Sequence, residues 1–147
     1  MTERPIQRPP PGKLYYFAYA SNLAKKQMVQ RCPEAKPKFP AYLPGHKLVF
    51  TGWLRQWHGG TATVKRVQGE RVAGAVWEIT AKDLQVLDRH EGYNEGMSER
   101  RNVLVVSEDD LWLEAVTYVK KDQSPEGKPS AEYVATIQQG YRDWKIE

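Results

Sequence analysis

The chain has 147 residues, which fits one domain able to bury about 68–70% of its unfolded surface. Hydrophobic residues make up 40% of it, with five Trp and eight Tyr, which excludes a disordered chain; no apolar run approaches the ~18 residues of a membrane span, and the N-terminus shows no apolar signal-peptide core. Cys32 is the single cysteine, which excludes an internal disulfide framework and points to a reducing cytoplasm, and the net charge of +4 is carried by scattered pairs such as Lys25-Lys26 and Arg100-Arg101 rather than by one basic stripe. That scatter argues against a nucleic-acid partner, and a mildly basic surface suits a small anionic substrate.

Residues 1–12, MTERPIQRPPPG, are Pro-rich and aperiodic, and read as a flexible or polyproline-like tail ahead of a single domain at 13–147. Apolar runs of strand length follow at 14–20, 46–52, 61–67, 71–79, 101–106 and 113–119. Gln68-Gly69-Glu70 reads as a hairpin loop between the third and fourth runs, and SEDD at 107–110 as another. Short connections favour antiparallel pairing, so the expected class is α+β: a small mixed, mostly antiparallel β-barrel with about three flanking helices.

The first helix is predicted over about Leu23–Arg31, with Ser21 or Asn22 as its N-cap and Ala24, Met28 and Cys32 facing the core. Pro33 stops it. The third is predicted to start near Ser130, with Tyr133, Val134, Ile137 and Tyr141 as its apolar face, and to end near Gly140. The second lies within ITAKDLQVLDRHEGY, Ile79 to Tyr93, where Thr80 and Asp83 approximate a capping box and Ile79 and Leu84 occupy the staple positions. Leu84 and Leu87 set its inward face, and counting on by four from Leu87 reaches Glu91.

An inward carboxylate needs an explanation, because burying an unpaired charge is costly. Two readings stay open at this point. In one, Glu91 forms a salt bridge to Arg89, Arg100 or Arg101, or a frayed last turn lets it reach water. In the other it lines a cavity as a general acid/base, its pKa raised by desolvation and by the negative end of its own helix. The remaining candidates are weaker. His46, His58 and His90 are not at metal spacing, His90 falls on a different helix face from Glu91, and His58-Gly59-Gly60 reads as a turn. Ser21 lacks a nucleophile elbow and a His placed to activate it.

Taken together, FAYASNL (17–23), RCP (31–33), GGTATV (59–64), VAGAVWEI (72–79), LDRHEGY (87–93) and PSAEYVATIQQG (129–140) resemble the gamma-glutamylcyclotransferase-like (AIG2-like) family over nearly all of the chain after the tail. The resemblance implies a loop Tyr19-Ala20-Ser21-Asn22-Leu23 that binds the glutamyl part of a substrate through backbone N–H groups. It implies Glu91 as the acid/base, Tyr133 near the pocket, and conversion of a γ-glutamyl amine or peptide to 5-oxoproline without metal or cofactor. Two departures are visible: Ala20 stands where the family usually has glycine, and Ser98 where gamma-glutamylcyclotransferases proper can carry a tyrosine. A positive φ at position 20 would reshape the loop. The alternative on the same fold is a non-catalytic module holding a small carboxylate-bearing metabolite, for which Glu91 would be tied up in an ion pair.

Overall fold

The computed structural model describes residues 6–121 and 127–146. Within the first apolar run, β2 (Leu14–Ala18) is buried on both faces by simple alternation. Phe17, with Tyr19 just beyond it, points into one core, and Tyr16 and Ala18 point into the other. The first core also holds Val64, Val76, Val105 and Leu113. The second holds Trp77, Leu87 and Tyr118 together with Leu23, Met28 and Trp144 from the helical segments.

The other strands are β1 (Ile6–Gln7), β3 (Lys36–Leu54), β4 (Gly59–Ile79), β5 (Ser98–Ser107) and β6 (Trp112–Lys120). They run in the order β1-β6-β2-β4-β3-β5, and a further β5–β6 pairing closes a ring of five. β2 pairs in parallel with β6, and the remaining neighbours in the ring are antiparallel, which makes the expected mixed, mostly antiparallel barrel. Ile6 and Gln7, part of the stretch read as a tail, pair in parallel with Trp112 and Leu113; residues 1–5 lie outside the described residues. No helix among the described residues is long and apolar enough to cross a membrane.

Two strand expectations are corrected. Gln68-Gly69-Glu70 is not a hairpin loop. The runs at 61–67 and 71–79 are halves of one strand of 21 residues, because both pair with the same partner, β3. The ladder passes from Pro44↔Arg71 to His46↔Arg66, so residues 67–70 form a bulge opposite Gly45, with Gly69 at φ +87°. β3 itself begins ten residues before the predicted run, at Lys36 rather than 46. Pro37, Pro40 and Pro44 hid it, since proline removes a ladder donor. Register shifts beside Pro37 and Pro44 accommodate two of them.

The helices are α1 (Lys25–Arg31), α2 (Ala81–His90) and α3 (Ala131–Trp144). The capping box on α2 is formed in both directions, Asp83 N–H to Thr80 Oγ1 at 3.1 Å and Thr80 N–H to Asp83 Oδ2 at 3.0 Å. Ser130 caps α3 through the Tyr133 N–H. Gly140 does not end that helix, which runs on to Trp144 and stops at Lys145 in the left-handed conformation. Gly140 is instead a point of close approach: a Cβ there would lie 2.3 Å from the Leu23 Cβ. α3 therefore crosses directly over the segment that follows β2.

Candidate active site

Leaving the barrel after Ala18, the chain passes Tyr19 and Ala20 and turns through a short 3-10 segment, Ser21–Leu23, before α1. Ala20 has φ −133°, so no positive φ is demanded there. Neither Ser21 nor Asn22 caps α1, contrary to the expectation. The N-cap is Ala24, and the first helical N–H, of Lys25, is taken by Asp143 Oδ2 of α3 at 2.9 Å. α3 also clamps the turn through Trp144, whose indole N–H donates to the Leu23 carbonyl at 2.8 Å.

Freed from capping, Asn22 becomes a hub. Its amide nitrogen donates to the Tyr16 hydroxyl at 2.9 Å and to Glu91 Oε1 at 3.2 Å. Its oxygen accepts from Gln27 at 3.0 Å and from Arg31 at 3.0 Å. Both amide hydrogens and both oxygen lone pairs are thus used, which fixes the orientation of a side chain only 2% exposed. Ser21 Oγ accepts from the same Gln27. The turn's own bonds use the Leu23 and Ala24 N–H groups and not those of Ser21 and Asn22, as expected for the first donors of a helical turn.

Glu91 arrives at this hub from the opposite side. It is the C-cap of α2, at φ −95° and ψ 2°. Gly92 follows at φ +73°, and the Tyr93 N–H reaches back to the Asp88 carbonyl at 2.9 Å, the αL-terminated pattern that ends many helices on glycine. One turn before Glu91, Asp88 is buried and held by Arg100 and by the Tyr118 hydroxyl at 2.6 Å. Burial pulls the Asp88 carboxyl up, but its hydrogen bonds from Arg100 and Tyr118 outweigh this and hold it below the usual range. These bonds strap the last turn of α2 to β5 and β6.

The salt-bridge reading of Glu91 does not hold. Arg100 is committed to Asp88 and Arg101 to Glu99, and Glu91 has no ion-pair partner among the described residues. Burial pushes its carboxyl up; the positive charge of Arg31 works in the other direction and is outweighed. Tyr16, Tyr19 and Tyr133 are all driven upward, chiefly by burial and further by the nearby Glu91, so they stay protonated as neutral hydrogen-bonding groups.

One cavity gathers these groups. Glu91, Tyr19, Ala20, Ser21, Asn22 and Tyr133 all line it. Leu23 does not: its side chain is wholly buried in the second core, and its N–H is used by the Ala20 carbonyl. Tyr133 reaches the wall because Gly60 N–H bonds the Lys128 carbonyl at 2.9 Å, drawing the start of α3 over β4, and its hydroxyl accepts the Ala62 N–H at 2.9 Å. His90, expected on a different face from Glu91, lines the cavity too. Helical periodicity fails there because the helix ends at His90. Burial, Arg31 and Arg89 hold its imidazole below the ordinary value. Trp57, Arg31, Ser98 and Lys120 complete parts of the wall that the spacing did not reveal. Arg31 and Ser98 fall at positions the family resemblance marks, whereas nothing in the sequence pattern marks Trp57 or Lys120. Among the described residues no cluster of His, Cys, Asp and Glu is arranged to hold a metal.

A profile described as the AIG2-like family matches residues 71–146, and human gamma-glutamylcyclotransferase is 31% identical over 142 residues, covering 94% of this chain and 75% of the human one. This chain belongs to the gamma-glutamylcyclotransferase-like family. The bovine protein of the same name is 31% identical over 132 residues, covering 87% of this chain and 70% of its own. A solved structure titled gamma-glutamyl cyclotransferase superposes with a TM-score of 0.87 at 29% identity, over 91% of this chain and 81% of that one. The family's barrel and flanking helices are therefore those described above.

Proposed function

We propose that the chain is a cyclotransferase that converts a γ-glutamyl amine or peptide to 5-oxoproline and the free amine, with Glu91 as general acid/base. The observation that carries this reading is the meeting of a desolvated carboxyl with the Ser21-Asn22 corner, across a single 3.2 Å hydrogen bond in one cavity. The α-amine of the glutamyl group attacks its own γ-carbonyl carbon. A five-membered lactam forms as the amide C–N bond breaks. The nucleophile belongs to the substrate, so the protein supplies orientation and proton transfer. Glu91 takes a proton from the α-ammonium and returns one to the departing amine, work that suits a carboxyl raised toward neutral pH and is worth about 10²–10⁴-fold. The N–H groups of Ser21 and Asn22 are the donors we assign to the substrate's carboxylate or to the developing oxyanion. The reaction as written calls on no cofactor.

The names of the relatives support this reading, and so does the lack of an ion-pair partner for Glu91 among the described residues, which a carboxylate-binding module would not need to leave open. Incubation with a panel of γ-glutamyl dipeptides and γ-glutamyl amines tests it. The expected result is 5-oxoproline in equal amount to the freed amine. No product from any member would rule the reading out.

A further inference from the structure

We propose that Leu54, Trp57 and Met97 form a leaving-group subsite that selects γ-glutamyl amides whose released amine carries an apolar side chain. The inference rests on the cyclotransferase reading above, since that reading fixes which end of the substrate meets Glu91. The glutamyl end occupies the Ser21-Asn22 corner and Glu91. Arg31 belongs to that end as well, bound to Asn22 at 3.0 Å. Atoms beyond the scissile bond must leave along the rest of the wall, where Lys120 donates to the Thr51 carbonyl at 2.7 Å and to the Thr61 hydroxyl at 2.8 Å, and where Leu54, Trp57 and Met97 supply the apolar surface.

Trp57 packs on Tyr133 with ring centroids 4.9 Å apart, and Phe50 backs Tyr133 edge-on at 6.3 Å, so the aromatic part of the wall is braced from behind. Met97 comes from the loop that follows Glu91. Its N–H is tied to the Gly92 carbonyl at 2.9 Å, yet its side chain is 42% exposed. Leu54 and Trp57 are half-buried on the tip of the β3–β4 hairpin. Apolar surface that lines a cavity but stays in contact with water gains when a ligand covers it. Methionine adapts its shape to different aliphatic or aromatic groups, so the subsite selects for apolar character rather than for one side chain.

The test compares kcat/KM for γ-glutamyl-leucine, γ-glutamyl-phenylalanine, γ-glutamyl-glycine and γ-glutamyl-glutamate. A single methylene in an apolar pocket is worth roughly tenfold or more, so leucine and phenylalanine should exceed glycine by at least about tenfold, with glutamate below both. Trp57→Ala should shrink the leucine-to-glycine ratio toward one. Met97→Ser, on an exposed loop, should shrink it too, and carries the test if loss of Trp57 disturbs Tyr133. Measurable turnover with a flat ranking, or a ratio unmoved in both variants, would overturn the subsite alone. Absence of 5-oxoproline from every substrate would overturn the cyclotransferase reading, and the subsite with it.

Discussion

Glu91 is held where an ionised carboxyl is costly, and that cost has a measurable sign. The unfolded chain ionises it near the ordinary value of 4.5, whereas the folded chain, which desolvates it, does so only at higher pH. Between those two values unfolding releases a proton, so this residue's contribution to stability falls as pH rises through the window. Glu91→Gln keeps a shape able to accept from Asn22 and removes the titration. The variant should therefore gain stability relative to the parent on going from pH 4.5 to pH 7.5, read as the shift in denaturation midpoint at each pH. An offset independent of pH would mean that the carboxyl is not desolvated. A group placed at the expense of stability is a common mark of a working site. In the sequence this residue was legible as an apolar-face position filled by a carboxylate. Its partner was legible only through the family resemblance: on local pattern alone Ser21 and Asn22 read most simply as helix caps. Only the position of Asp143, 118 residues from Lys25, releases them from that task.

At the scale of an element, the decisive piece is the last turn of α2. Its N-terminus was readable because a capping box is local chemistry, complete within Thr80–Asp83. Its C-terminus depends on distant groups, Arg100 on β5 and Tyr118 on β6, which meet Asp88 only after the barrel closes. Tyr118 extends the strap, since its carbonyl accepts the Tyr19 hydroxyl at 2.6 Å on the far side of the cavity. Breaking a buried pair by removing one partner costs about 3–5 kcal/mol; because Arg100 is 36% exposed, Asp88→Ala should cost less, roughly 2 kcal/mol, in denaturant unfolding. The same variant should lower kcat more than it raises KM, because the turn carrying Glu91 loses its lateral hold. Asp88→Asn, which can still accept from Tyr118, should fall between Asp88→Ala and the parent. An unchanged kcat in both would show that the glycine-terminated backbone alone positions Glu91.

For the whole molecule, the barrel was legible in outline because strand alternation and short connections survive in any single sequence. What was not legible is pairing. The 67–70 bulge and a hairpin loop have the same local composition, and only the length of β3 decides between them. The prolines of β3 suppress its strand signal, yet register shifts let the ladder continue past them. Gly140 reads as a helix stop but serves a packing contact that brings α3 onto the turn after β2. In each case a long-range contact overrides a local preference, and the candidate site lies where several of these contacts converge. The step on which the proposed mechanism turns is that Glu91 moves the protons of an intramolecular cyclisation. Its most direct test is the rate of 5-oxoproline release from a γ-glutamyl dipeptide by the parent and by Glu91→Gln, with circular dichroism confirming an unchanged fold. A loss of about 10²–10⁴-fold in kcat is predicted; a variant that keeps the parent's rate would contradict the claim.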